Sequence, residues 1–188
     1  MTLRLLCLAA LVLPVACAPA PLRVAVPPVT VAERIPSAFA TVELLDVSLP
    51  AYAETDDIFV QDEGGALRRL GRTRWADEPA RAFTLDLAQA LADLTGARVA
   101  PEPWPFEDRA AARVDVRLSE AVADRARGEY VLRGQIFVAA QDGTGRDRAG
   151  AFRIAVPLPP DPGPAAIAAA RAGATLMLAQ EIAAKGLR

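Results

Sequence analysis

Cys17 is the residue whose type and position most clearly indicate chemistry in this sequence. It follows a positive charge at Arg4, an uncharged apolar run at 5–13 and the pair Val15-Ala16, which is the order of a bacterial export signal. The apolar run is roughly half of the ~20 residues that a membrane-spanning helix needs. The chain has two cysteines, and Cys7 lies within the signal, so Cys17 would be the only thiol of the mature protein. An orphan thiol in an exported protein needs an explanation, and acylation of Cys17 supplies one.

The residues before Cys17 resemble the lipobox of bacterial lipoproteins, in which the signal is cut just before a cysteine that is then acylated. Pro14 departs from the usual Leu, Val or Ile three residues before that cysteine, and whether it impairs processing stays open. The alternative is ordinary signal-peptidase cleavage, for which 16–18 and 18–20 are A-x-A-like sites. We favour acylation, because it accounts for the single thiol and its chains would add about 0.8 kcal/mol per buried CH₂ to membrane binding. In enterobacterial lipoproteins, a residue such as Ala18 in place of Asp after the cysteine favours the outer membrane.

The composition excludes several classes of function. The sequence contains no His, so His-based metal sites, His general bases and Ser-His-Asp triads are absent. With Cys17 acylated, no free thiol is left for a disulfide or a nucleophile. Lys185 is the only lysine and is not part of a Ser-x-x-Lys pattern. A net charge of −2 gives no electrostatic reason to expect nucleic acid as a partner. We therefore predict no catalytic residue, no metal site and no cofactor.

Two charged clusters could still form sites. The acidic residues between Glu54 and Glu63 do not follow the spacing of a calcium-binding loop, so a solvated loop and turn is favoured. Regular alternation along a strand would place Arg68, Arg72 and Arg74 on one face, able to meet anionic lipid or an acidic partner. We favour the simpler interpretation, an edge strand protected by charge.

Three aromatic residues are candidates for partner binding: Tyr52, Trp75 and Trp104. Tyr52 follows a predicted strand in a loop. Trp104 stands between Pro103 and Pro105, which restrict the backbone and lower the entropy cost of ordering it in a complex. Exposed Trp is common among interface hot spots, although Trp104 could equally cover the sheet.

The pattern divides the chain into a signal at 1–16, an acylated cysteine with a Pro-rich tether at 17–36, and a domain at 37–188. Valines alternate around Pro27 and Pro28, and an extended linker is favoured there over an edge strand. Period-two alternation predicts strands around 45–49, 58–61, 66–75, 113–118, 130–138 and 151–156, with turns at 62–65 and 142–145. Helical spacing predicts one helix from about Asp77 to Gly96 and another over 165–184.

These elements predict an α+β domain with a single mixed or mostly antiparallel sheet and two amphipathic helices packed on one face. A common core is expected to contain apolar residues of both helices. Those residues are Phe83, Leu87, Leu91, Leu178 and Ile182. Arg171 is expected outside this core, so that its removal would not affect stability.

An ordered set of short motifs resembles the ABC-type transport auxiliary lipoproteins of the PqiC/YmbA type. The motifs follow the lipobox as Leu49-Pro50-Ala51-Tyr52, Ile58-Phe59-Val60, Arg74-Trp75-Ala76, the helix at 83–94, Pro103-Trp104-Pro105, Arg113-Val114-Asp115-Val116, Gly134-Gln135-Ile136-Phe137 and the helix at 178–182. The resemblance covers roughly residues 42–187. It implies a non-enzymatic outer-membrane lipoprotein that faces the periplasm and works with an envelope-spanning MCE-domain protein in lipid transport. A second copy of the chain is the other partner considered.

Two further classes stay open at the level of sequence. One is a structural or secretion-type envelope lipoprotein with a TolB-like domain and no role in transport. The other is a carboxylate-based hydrolase of cell-wall material, which would need two acids about 5–9.5 Å apart in one cleft.

Overall fold

The computed structural model describes residues 20–141, 143 and 146–188. Cys17 and part of the predicted turn at 142–145 lie outside these residues. The described chain forms strands β1 (Leu22–Val24), β2 (Thr41–Leu44), β3 (Asp57–Gln61), β4 (Leu67–Trp75), β5 (Arg98–Pro101), β6 (Ala112–Asp124), β7 (Glu129–Ala140) and β8 (Arg148–Pro157). Its helices are α1 (Pro79–Thr95) and α2 (Pro164–Glu181), with a 3-10 helix at Ala51–Ala53 and a π-helical turn at Ile182–Gly186.

One mixed sheet of eight strands is built around β6. One edge of β6 pairs antiparallel with β7 along its length, and β7 pairs antiparallel with β8. The other edge of β6 pairs in parallel with β2 at its first residues and with β3 at its last. The sheet then continues from β2 to β5 on one side, and from β3 through β4 to β1 on the other. The predicted α+β class with a single mixed sheet is confirmed.

The two helices follow the local signals of the sequence. Each starts on a proline, Pro79 or Pro164, whose missing N–H is unneeded in the first turn. Gly96 ends α1 in the left-handed conformation at φ 71°, and its N–H donates to the carbonyl of Ala92 at 2.9 Å. Neither helix in the described residues is long and apolar enough to cross a membrane.

The predicted common core is confirmed. All five of its named residues are at most 2% exposed. Helices α1 and α2 pack against each other and bury this core against the sheet. The expectation that Arg171 lies outside this core is wrong, because Arg171 is only 4% exposed and belongs to the buried region.

The segment around the paired prolines also differs from expectation. Leu22–Val24 forms an edge strand in parallel with Thr73 to Trp75, so the preference for a linker is wrong at these residues. Downstream, Val26, Val29 and Ile35 are partly buried against the core. Alternating valines thus supply one apolar side, and the prolines interrupt the strand without preventing its packing.

The first predicted strand lies slightly earlier than expected, at Thr41–Leu44 rather than 45–49. Beyond Leu44 the chain stays beside β6 with only a single bridge, between Ser48 and Arg117. The backbone N–H of Val47 donates instead to the hydroxyl of Thr84 on α1, at 2.9 Å. Val47 is still buried, which explains why the alternation reads as a strand.

Candidate functional site

Tyr52 lies in the 3-10 helix and is tied to the central strand of the sheet. Its hydroxyl accepts a hydrogen bond from the N–H of Ala121 on β6 at 3.0 Å. Its ring meets Phe59 edge to face, with centroids 6.4 Å apart. Burial raises the pKa of the Tyr52 phenol. The side chain is half-buried, so one part of it supports the fold and the rest is open to solvent.

Trp75 lies in the core rather than on the surface, because its residue is only 8% exposed. The guanidinium of Arg171 stands over its ring at 4.7 Å and near the ring of Phe83 at 5.5 Å. Arg171 also donates to the carbonyl of Pro79 at 3.0 Å. This cluster joins β4, α1 and α2, and it leaves Trp75 little surface to offer a partner.

Tyr52 and Trp75 line the same small cavity beneath the 3-10 helix, together with Tyr130 and Arg171. Its free volume is about 20 Å³, which is room for about one water molecule. Burial raises the pKa of Tyr130 to about 12, so its phenol stays neutral. A cavity of this size cannot admit a lipid or a sugar substrate.

Trp104 lies away from that cavity, in the loop between β5 and the start of β6, whereas β3 pairs with the end of β6. Its indole N–H donates to the carbonyl of Asp108 at 2.6 Å, which closes the loop on itself. The ring of Phe106 meets Trp104 edge to face at 4.9 Å, and Arg98 stands over Phe106 at 5.0 Å. Phe106 is 44% exposed. Half-buried Trp104 and exposed Phe106 and Arg98 form a surface patch of two rings and a cation, which we call the aromatic patch.

Phe106 and Arg98 are not among the residues that the sequence predicts to bind a partner. Phe106 follows the Pro-Trp-Pro motif directly, so its proximity to Trp104 could have been inferred. The contribution of Arg98 could not, because strand β5 had not been predicted.

Several carboxylates of the described residues form ion pairs. Asp56 and Asp57 both meet Arg74 at 3.4 Å, and buried Glu43 meets Arg113 at 2.8 Å. No group of three acidic, Cys or His residues that could hold a metal ion occurs in the described part of the chain.

Two acids do line one groove between β1 and α1. These acids are Asp77, which forms an ion pair with Arg81, and Asp86. Burial raises the pKa of Asp86, and the nearby charge of Asp77 raises it further by a smaller amount. This groove is lined by two acids, as the hydrolase hypothesis requires, and so is a second groove, which contains Glu33 and Asp93.

The arginines of β4 do not share one face as expected. In the ladder between β3 and β4, Arg68 lies opposite Val60 and Arg74 lies opposite Asp57. Asp57 and Val60 are three residues apart on β3, so they point to opposite faces of the sheet, and so do the arginines opposite them. The regular alternation is broken by extra residues on β4 around Gly71, whose φ is 55°. The favoured interpretation as a charged edge holds for 67–72, since β1 covers only Thr73 to Trp75.

The comparisons with known proteins agree with this architecture. A family model described as "ABC-type transport auxiliary lipoprotein component" matches residues 21–183. A solved structure described only as an uncharacterized protein superimposes with a TM-score of 0.70 at 16% identity, covering 88% of this chain and 97% of its own. A DUF330 protein from Xanthomonas campestris superimposes with a TM-score of 0.68 at 16% identity, covering 88% and 94%. At such identities the two structures support the fold alone. The search of curated proteins gives no match.

Proposed function

The chain belongs to the family of ABC-type transport auxiliary lipoprotein components, and from this premise we propose that it is a non-enzymatic outer-membrane lipoprotein. In this proposal it is anchored by acylated Cys17 and faces the periplasm. It acts as the auxiliary subunit of an MCE/ABC-type lipid transport system that maintains the envelope.

The observation that carries the proposal is the family match over residues 21–183, which is nearly the whole domain. Cys17 stands four residues before the matched region, where a lipid anchor would join the domain directly. The absence of His from the sequence and the ion pairs of buried or half-buried carboxylates such as Glu43 and Asp57 support a role in binding rather than catalysis.

The aromatic patch is the surface proposed to contact the MCE-domain partner or a second copy of the chain. Trp104 and Phe106 present rings on a closed loop, so little side-chain freedom is lost on binding. Arg98 adds a cation that can meet a carboxylate of the partner. Tyr52 is the second candidate contact, through its exposed part.

Affinity purification of the acylated protein from membranes tests the proposal. The expected result is recovery of an MCE-domain protein with the wild type and with Arg153→Ala, an exposed control on β8. Trp104→Ala should recover much less. Mass spectrometry of the mature N-terminus should find acyl chains on Cys17, and Cys17→Ser should lack them.

The open alternatives give different outcomes. A structural lipoprotein would be acylated and needed for envelope integrity, yet no MCE-domain protein would be recovered with it. A hydrolase would release fragments from cell-wall material, and Asp86→Asn would abolish that release while the acylation of Cys17 stayed intact.

A further inference from the structure

The first residues of β1 and the unpaired part of β4 lie at the end of the domain where the lipid anchor joins it. We propose that this surface, made of Leu22, Leu67, Arg68, Arg69 and Arg72 and called the basic edge, rests on the membrane and binds anionic phospholipid headgroups. The proposal depends on the acylation of Cys17 proposed above, and it assigns the orientation of the anchored domain.

The length of chain between the anchor and the fold limits the distance. Leu22 is the first residue of β1, five residues after Cys17. Five extended residues span at most about 18 Å. The start of β1 must therefore lie within that distance of the acylated cysteine, which itself is held at the bilayer surface.

The pairing of β1 gives the direction of approach. Strand β1 runs parallel to β4, with Leu22 opposite Thr73. The residues before Leu22 therefore begin on the side of Arg72, where β4 has no partner other than β3. The β3–β4 hairpin continues in that same direction to its turn, in which Gly65 donates to the carbonyl of Asp62 at 2.9 Å. The hairpin thus projects toward the anchor.

The outermost groups on the unpaired part of β4 are cationic and apolar, and the turn before it exposes one acid, Glu63. The side chains of Arg68 and Arg69 are 74% and 65% exposed, whereas their partners Asp62 and Asp57 are only 30% and 19% exposed. The guanidinium groups of these pairs are therefore more accessible to a lipid headgroup than the acids are.

Arg72 is exposed and forms no ion pair with any residue that the structure describes. Leu22 and Leu67 are 62% and 41% exposed, although both are large aliphatic side chains. Arginines mixed with exposed leucines suit the interface of an anionic bilayer, where headgroups take the charge and the acyl boundary takes the apolar atoms.

A single introduced cysteine can report this orientation, because acylation of Cys17 leaves the mature chain without a free thiol. Leu67→Cys on the basic edge and Glu107→Cys in the loop before the start of β6, the end of that strand away from the β3–β4 hairpin, carry the same fluorophore in the full acylated protein. The proteins are reconstituted in phosphatidylethanolamine vesicles with 30% phosphatidylglycerol and a headgroup-nitroxide lipid. Strong quenching at position 67 and little at position 107 is expected. Equal quenching at both positions, or stronger quenching at 107, would overturn the proposal.

A second measurement separates this surface from the anchor. The mature Cys17→Ser chain, which has no acyl groups, is sedimented with the same vesicles lacking the nitroxide lipid. The double substitution Arg69→Gln with Arg72→Gln should weaken binding to the vesicles by roughly fivefold per charge removed. Added salt should also weaken the binding of the parent chain, because it screens the arginines from the headgroups. Arg117→Gln with Arg133→Gln is the matched control and should bind as the parent does. Equal binding by both pairs overturns the basic edge even if Cys17 is acylated. A wild-type N-terminus without acyl chains overturns the anchor and the orientation that depends on it, even if the Arg69 and Arg72 substitutions weaken binding to the vesicles.

Discussion

The guanidinium of Arg171 lies 4.7 Å from the ring centroid of Trp75, so a cation of α2 packs on the last residue of β4 inside the core. Phe83 of α1 offers the same cation a second ring at 5.5 Å. The contacts join three elements that are distant in sequence. They also explain how a charged side chain can lie on the buried side of a helix, since the rings and the carbonyl of Pro79 replace part of its hydration.

Arg171→Ala should therefore lower the free energy of unfolding by about 2 kcal/mol, through loss of two cation–π contacts and one charged hydrogen bond. Urea unfolding monitored by circular dichroism measures this change. Arg81→Ala is the matched control, because Arg81 is an exposed helical arginine paired only with Asp77 and should contribute about 0.5 kcal/mol or less. Equal effects of the two substitutions would contradict a stabilising role for Arg171.

Leu87→Ala and Leu178→Ala should each cost about 2–5 kcal/mol, because both side chains are fully buried between the helices and the sheet. For a domain of this size, each kcal/mol lowers the melting temperature by about 2–4 °C. Leu85→Ala provides the comparison, since Leu85 on the same helix is 41% exposed. A Leu85 variant that melts as early as the Leu87 variant would mean that the faces of α1 are wrongly assigned.

Periodicity was sufficient for the elements that bury one face. Helix α1 and strands β3, β7 and β8 could be predicted because each carries a regular apolar pattern. Strand β5 has only four residues and follows the helix closely, so it has no pattern long enough to detect. The faces of β4 were misassigned because the irregularity around Gly71 cannot be seen in the alternation of its arginines.

The candidate site was less predictable than the fold. Aromatic residues are informative as a type, but burial separates Trp75 from Trp104, and burial depends on contacts with distant elements. Arg171 illustrates the same limit: a lone arginine in an Ala-rich helix normally lies in solvent. Its position follows from Trp75, which lies 96 residues earlier in the sequence.

The stability of the protein should fall at high pH because of Tyr130. Its pKa is about 12 in the folded state, against an ordinary value near 10, since burial disfavours the phenolate. Below pH 10 both states hold the proton, and above it the unfolded state releases the proton first. The free energy of unfolding should thus fall by about 1.4 kcal/mol per pH unit between pH 10 and 12.

Denaturant unfolding at intervals from pH 9 to 11.5 measures this slope. Tyr130→Phe should flatten it in part, because the pKa of Tyr52 is also raised by burial and acts in the same direction. Identical slopes in wild type and Tyr130→Phe would show that Tyr130 makes no such contribution.

Substitutions of Trp104 and Tyr52 should have different effects when partner binding and stability are both measured. Trp104→Ala should weaken partner binding by about 2 kcal/mol, roughly thirtyfold, while melting close to wild type, because the bond of its indole N–H stays within its own loop. Tyr52→Phe should cost about 1 kcal/mol of stability, because the N–H of Ala121 loses its acceptor. If Trp104→Ala melts early, the aromatic patch is part of the fold, and if the variant binds the partner as the wild type does, the patch is not an interface.

Gly134 should be the least replaceable glycine of the sheet. It stands on β7 where β6 has one extra residue, between the pairs Leu118 with Gly134 and Glu120 with Arg133. A Cβ placed on Gly134 would lie 2.1 Å from the carbonyl oxygen of Arg117, a backbone atom that cannot move without disturbing β6. Gly134→Ala should therefore cost about 3 kcal/mol or more and reduce the yield of folded protein.

Gly150→Ala on β8 is the control for this substitution, because nothing lies within 4 Å of its Cβ position. It should leave the melting temperature unchanged or raise it slightly, since alanine restricts the unfolded chain. The contrast depends on the close approach of the β6 backbone and not on the loss of glycine as such. Similar melting temperatures for Gly134→Ala and Gly150→Ala would mean that β6 can shift to admit a side chain, and the irregularity at Ser119 would then be adjustable rather than a fixed feature of the sheet.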